Sequence, residues 1–256
     1  MRPILFHIGS APVYSYGFFV AVAFVVGTIF GIIQAKRRGI SIEAIIDIAL
    51  YSCIAGIVGA RIVYVLLDLP VYLSEPMEIL RLRDGGLSFH GGLFTAILVG
   101  IWYCRRHKVS AWEIADIAAP SVALGYSIAR IGCFLNGCCF GVTTNLPWAL
   151  KCAAYDQSLR HPTQIYAAIG SLMIFAILMI SRKSRHFPGY LMFFYVFLYS
   201  ILRFVVEIFR DVPRFLGPLS ITQVVSIVLA LGSFLCISIL SNQAAKPEEK
   251  LPAQGR

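Results

Sequence analysis

Long apolar stretches punctuated by short charged clusters set the pattern of this chain. Uncharged runs cover 3–35, 85–104, 131–150, 161–181, 186–202 and 215–245, and two further apolar stretches, near 44–67 and 112–135, carry Arg61 and Arg130 in their interiors. A helix crossing a hydrocarbon core of about 30 Å needs about 20 residues. The runs predict helices near 13–35, 44–67, 88–104, 112–135, 162–181, 188–209 and 220–241. The stretch 131–150 reads as the end of one helix and a loop, because Asn136, Trp148 and several glycines and prolines break its apolar pattern. Ser110 and Glu113 have capping-box spacing, Ser41 precedes Glu43 in a first turn, and Asp47 and Asp116 lie one turn deeper. The run from Pro3 to Ala35 is too long for the core of a cleavable signal peptide. No internal repeat is visible. The expected fold class is all-α: a polytopic membrane helical bundle of about seven transmembrane helices, with residues 1–242 as one domain and 243–256 as a disordered cytoplasmic tail.

Composition agrees. Of 256 residues, 58% are hydrophobic and only 14% charged, with a mean hydropathy of +0.78. Soluble domains carry about 25% charged residues, so a disordered chain, a collagen and a nucleic-acid-binding tail are excluded. The net charge of +9 is unevenly placed. Lys36-Arg37-Arg38, Arg105-Arg106-His107-Lys108, Arg182-Lys183-Ser184-Arg185 and the tail hold 12 of the 22 cations. The opposite loops hold Arg2, Arg81, Arg83, Lys151, Arg160, Arg210 and Arg214, offset by six acids. The positive-inside rule then puts the amino terminus outside and the carboxyl terminus in the cytoplasm.

Charge inside a bilayer costs at least about 2.5–3.5 kcal/mol per residue, so it faces a cavity or a partner. Arg203, Glu207 and Arg210 fall at about 0°, 40° and −20° around a helix, on one stripe. An intrahelical pair accounts for Arg203 and Glu207 but leaves Arg210 uncompensated, and an anionic headgroup would complete the set. Arg130, ahead of Ile-Gly-Cys133-Phe-Leu-Asn136-Gly-Cys138-Cys139-Phe-Gly141, falls at similar depth. Two guanidiniums there can hold one phosphate, or each can pair with a separate acid. Gly85-Gly86 and Gly91-Gly92 bracket Ser88 and His90. A neutral imidazole there can take a proton from a thiol or hydroxyl. Of seven cysteines, Cys133, Cys138, Cys139 and Cys152 fall on the predicted outer face. Their spacing fits no standard zinc or iron–sulfur template, and a disulfide of Cys138 or Cys139 with Cys152 is the expected alternative.

The ordered set of motifs resembles the prolipoprotein diacylglyceryl transferases. It comprises Tyr14-Ser-Tyr16-Gly17, Gly59-Ala-Arg61-Ile-Val-Tyr64, the His90-Gly91-Gly92 segment, Ala115-Asp116 with Pro120, Arg130-Ile-Gly, Asn136-Gly137 and Gly141. His161-Pro-Thr-Gln164-Ile-Tyr166 and the run from Tyr199 to Arg210 complete it. The family signature reads Gly-Arg-x-Gly-Asn-Phe-x-Asn-Gly-Glu; here Ala129, Cys133 and Cys138 stand at its Gly, Asn and Glu. The resemblance implies a multi-pass enzyme of the bacterial cytoplasmic (inner) membrane. Its activity moves the diacylglyceryl group of phosphatidylglycerol to the lipobox cysteine of prolipoprotein signal peptides. No metal or organic cofactor and no nucleic acid is expected. It implies that Arg130 and Arg203 hold the phosphate, His90 is the base, Glu207 orients Arg203, and Arg210 guides the headgroup. Tyr16, Asn136 and Tyr199 are the expected hydrogen-bond partners, with Gly91, Gly92 and Gly141 allowing close approach. The alternatives are a lipid or small-anion transporter using the same arginines, and a paralogous lipid transferase with another acceptor.

Overall fold

All seven apolar stretches form long helices in the computed structural model, which describes residues 2–81, 85–151, 158–184 and 187–245. The helices are α1 (Ser15–Arg37), α2 (Ile42–Leu67), a short α3 (Leu69–Ser74), α4 (Phe89–Arg106), α5 (Ala111–Asn136), α6 (Thr163–Ser181), α7 (Tyr190–Ile208) and α8 (Ile221–Ala245). Six are long and apolar enough to cross a membrane, and α4, with 18 residues, is the shortest of the seven. The chain is an all-α, polytopic membrane protein. Arg83, Cys152, Arg185 and residues 246–256 of the expected tail lie outside the described residues.

The amino terminus departs from expectation. Residues before Ser15 form an antiparallel hairpin, β1 (Ile4–Ile8) and β2 (Ala11–Tyr14), in place of an early helical turn. Gly9, at φ +60°, supplies the left-handed residue its tight turn requires. An uncharged run hides this, because hydropathy alone does not separate a strand from a helix.

The described residues fall into two compact units. The first joins Met1–Gly27 to Ala115–Arg256. Here α1 lies against α5 at small residues: a methyl on Gly125 would sit 3.2 Å from the Ala23 carbonyl, and one on Gly132 2.6 Å from Phe19 Cβ. Without a hydrophobic drive between helices in lipid, such close backbone approach and interhelical hydrogen bonds hold them together. Ser127 and Ser171 supply the latter, donating to Ala168 O at 2.9 Å and Ala123 O at 2.8 Å. Ala119, Ala123, Ile174, Leu178 and Leu191 form the core between α5, α6 and α7. Asp116, fully buried, accepts from Gly189 N at 3.0 Å and Met192 N at 3.2 Å, and so caps the start of α7. Ser220 and Gln223 cap α8 reciprocally.

The second unit, Thr28–Ile114, is built on α2 against α4. Gly56, Gly59 and Ala60 face Gly91, Gly92 and Thr95, with Thr95 Oγ1 donating to Ala55 O at 2.9 Å. Tyr103 donates to Asp47 at 2.8 Å, giving that intramembrane acid its partner. The expected caps are present: Ala44 N donates to Ser41 Oγ at 3.3 Å, and Glu113 N to Ser110 Oγ at 3.4 Å.

Candidate active site

Glu207 is 1% exposed near the end of α7, with a guanidinium on either side of it in sequence. Its Oε2 lies 2.9 Å from Arg203 Nη1 and 3.5 Å from Arg210 Nη1, and its Oε1 accepts from Ser220 Oγ at 3.3 Å. The stripe expected from the spacing is formed. Neither ion pair has hydrogen-bond alignment at Oε2, so the contacts are held by charge and leave guanidinium donors for a further acceptor.

Arg130 comes from the last turns of α5. Its guanidinium lies over the Tyr126 ring, 4.6 Å from the centroid, and has no carboxylate partner among the described residues. Arg130, Arg203 and Arg210 line one small cavity together with Tyr126, Cys139 and Thr163, and Ala167 and Val206 add apolar wall. Among the described residues, Arg203 and Arg210 share the one buried carboxylate of Glu207, and Arg130 brings a further cation to the same cavity. Tyr199 meets the Tyr126 ring edge-on at 5.4 Å, and so supports the aromatic platform beneath Arg130.

The loop after α5 closes the site. Gly141 is buried so tightly that an added Cβ would lie 2.1 Å from Phe209 O and 2.9 Å from His161 Cβ and Thr163 Cγ2. Gly141 N donates to His161 O at 2.9 Å, and Val142 N to Phe209 O at 2.9 Å. The loop is thus fastened both to the entry of α6 and to the end of α7, next to Arg210. Tyr16 lies within electrostatic reach of Arg130, Cys133 and Cys138, and the Asn136 side chain bonds to Cys138.

His90, Gly91 and Gly92 belong to the second unit. His90 is exposed in the first turn of α4, beside Phe89 (ring centroids 5.6 Å apart), where Ser88 Oγ caps by accepting from Gly91 N at 3.4 Å. The two glycines pack against α2. A methyl on Gly91 would sit 2.7 Å from Gly59 O, and one on Gly92 2.8 Å from Gly56 O, so their bareness admits α2.

The sequence profile of the prolipoprotein diacylglyceryl transferase family matches residues 3–239. The chain belongs to that family. Proteins named phosphatidylglycerol–prolipoprotein diacylglyceryl transferase resemble it along nearly their whole lengths. The one from Clostridioides difficile (strain 630) is 33% identical, covering 95% of this chain and 97% of its own. That of Finegoldia magna is 33% identical over 98% and 100%, and that of Bacillus cytotoxicus 36% over 92% and 91%. Family and apolar helices together make this a multi-pass protein of the bacterial inner membrane.

Within a diacylglyceryl transferase, three features escaped sequence reasoning. Tyr126 lies one helical turn before Arg130, a spacing that brings the two side chains together. Thr163 reaches the cavity only because α6 begins there. Arg61, conspicuous as an intramembrane charge, has no role assigned from sequence. It is 7% exposed and donates to the carbonyls of Ile79 (2.9 Å), Gly85 (3.0 Å), Gly86 (2.9 Å), Arg81 (3.4 Å) and Glu78, tying Gly85 and Gly86, just ahead of His90, to α2. Cys133, Cys138 and Cys139 are free thiols, and Cys152 of the expected disulfide lies outside the described residues. Hydrogen bonds from Cys133 and Cys138, with the nearby Arg130 and Arg210 charges, hold the Cys139 thiol below the usual range.

Proposed function

We propose that this chain transfers the diacylglyceryl group of phosphatidylglycerol to the lipobox cysteine of prolipoproteins, making a thioether and releasing glycerol phosphate. The carrying observation is the convergence of Arg130, Arg203 and Arg210 on one cavity. In the reaction His90 takes the thiol proton, and the sulfur attacks a glycerol carbon. The bond from that carbon to the phosphate oxygen breaks, and a phosphate monoester leaves.

A phosphodiester carries one negative charge and the departing monoester approaches two. Three guanidiniums against Glu207 and Cys139 leave a positive surplus even with that thiol ionised, so the cavity favours the charge that builds up as the bond breaks. Arg130 and Arg203 hold the phosphate, Glu207 sets the direction of Arg203, and Arg210 draws in the headgroup. Tyr16, Asn136 and Tyr199 support them by hydrogen bonds and aromatic contact. Gly141 keeps the loop close. The amino terminus faces outward and the carboxyl terminus the cytoplasm, which puts the arginines toward the outer leaflet.

Purified protein incubated with labelled phosphatidylglycerol and a lipobox peptide is expected to yield thioether-linked lipid. Arg203→Ala and His90→Ala are expected to insert normally yet lose more than about 100-fold in transfer. Near-normal turnover in both removes the mechanism. Binding of the lipid with no peptide modified points instead to a carrier.

A further inference from the structure

Three thiols that make and break no bond in the transfer step converge beside the arginine cavity, and Cys139 among them lines it. Cys133 is buried in the last turn of α5, and the chain then reverses through Gly137 at φ +78° and Cys139 at φ +67°. The reversal brings Cys138 N onto Cys133 O at 3.2 Å. As a result the three Sγ atoms all lie within 4.8 Å of one another, with those of Cys138 and Cys139 3.5 Å apart.

Tetrahedral zinc with bonds of about 2.3 Å to sulfur needs sulfur–sulfur edges of about 3.8 Å. Side-chain adjustments of roughly 1 Å bring the three sulfurs to that spacing. The backbone carrying them is already fixed from α6: Thr163 Oγ1 donates to Cys139 O at 2.5 Å, and Gln164 Nε2 donates to Cys138 O. Gln164 is 1% exposed, and its Oε1 has no hydrogen-bond partner among the described residues. A convergent donor set on a backbone held by outer hydrogen bonds is what metal sites require. The cysteine spacing matches no linear template because the convergence comes from the left-handed turn.

We propose that Cys133, Cys138 and Cys139 bind a soft, thiophilic divalent ion of the zinc class through three sulfurs, with a fourth position open. Three S–H protons pass to solvent, three metal–sulfur bonds form, and nothing is oxidised or reduced. The resulting unit carries one negative charge overall, so the Arg130 and Arg210 charges near Cys139 attract it.

The test needs no transfer activity. Full-length protein in detergent, reduced and stripped with chelator, is loaded with zinc and desalted, and its metal is counted. About one zinc per chain is expected to be retained, and Cys139→Ser is expected to weaken retention by more than about 100-fold. On the wild type, zinc is expected to slow iodoacetamide labelling of Cys133, Cys138 and Cys139 by more than about tenfold, with Cys53 and Cys236 unchanged. That second readout stands even if the variant misfolds. Labelling of the three that is equal with and without zinc, or protection confined to the other cysteines, overturns the proposal.

Discussion

Glu207→Gln isolates what the buried carboxylate does, because glutamine keeps the shape and removes the charge. In the wild type Oε2 holds Arg203 at 2.9 Å and Arg210 at 3.5 Å. Removing one partner of a buried ion pair destabilises by about 3–5 kcal/mol. The Arg203 and Arg210 side chains are 19% and 26% exposed, so part of that loss is screened, and about 2–3 kcal/mol is a fair expectation. The effect on transfer is separable. Freed from the carboxylate, both guanidiniums still attract a phosphate, so KM for phosphatidylglycerol is expected to stay within about threefold. Their direction is lost, however, and kcat is expected to fall about 100-fold. The assay is transfer from labelled phosphatidylglycerol to a lipobox peptide across a range of lipid fractions in mixed micelles, with thermal unfolding measured in parallel. A kcat within threefold of wild type would falsify the positioning role. A raised KM at unchanged kcat would instead make the carboxylate a substrate-binding group.

Other perturbations probe the scaffold. Gly141→Ala forces a methyl to within 2.1 Å of Phe209 O, so the loop must move away from the end of α7. Stability is expected to drop by about 1–3 kcal/mol and transfer by more than tenfold, and unchanged melting and turnover would contradict the packing described. Asp116→Asn leaves one acceptor for the Gly189 and Met192 amides, and is expected to lower thermal stability by about 1–2 kcal/mol. Arg61→Lys replaces a planar fork by a single ammonium and leaves carbonyls among those of Glu78, Ile79, Arg81, Gly85 and Gly86 unmet. Faster hydrogen exchange and proteolysis there, with α2 and α4 still protected, are the expected signature.

How much of this was legible depended on whether a partner leaves a mark in the sequence. The seven helices were visible because each must bury a long apolar length in lipid. The Arg203–Glu207–Arg210 stripe was visible because helical spacing alone aligns it. By contrast, Arg61 binds backbone carbonyls, which every residue has, so no letter announces its partners. Gly91 and Gly92 read in sequence as room for a ligand, and their packing on Gly56 and Gly59 of α2 shows only in three dimensions. Cys133 and Cys138 looked like losses from the family signature. Their meeting with Cys139 depends on two left-handed residues that a spacing rule does not contain.

The bare contact between α2 and α4 makes His90 sensitive to counting as well as to identity. With Gly91 and Gly92 seated on Gly59 and Gly56, α4 has no freedom to spin in place. One residue inserted between His90 and Gly91 would swing the imidazole about 100° around the axis and move it about 1.5 Å along it, with every original side chain still present. A length change too small to disturb membrane insertion would thus re-aim the proposed base.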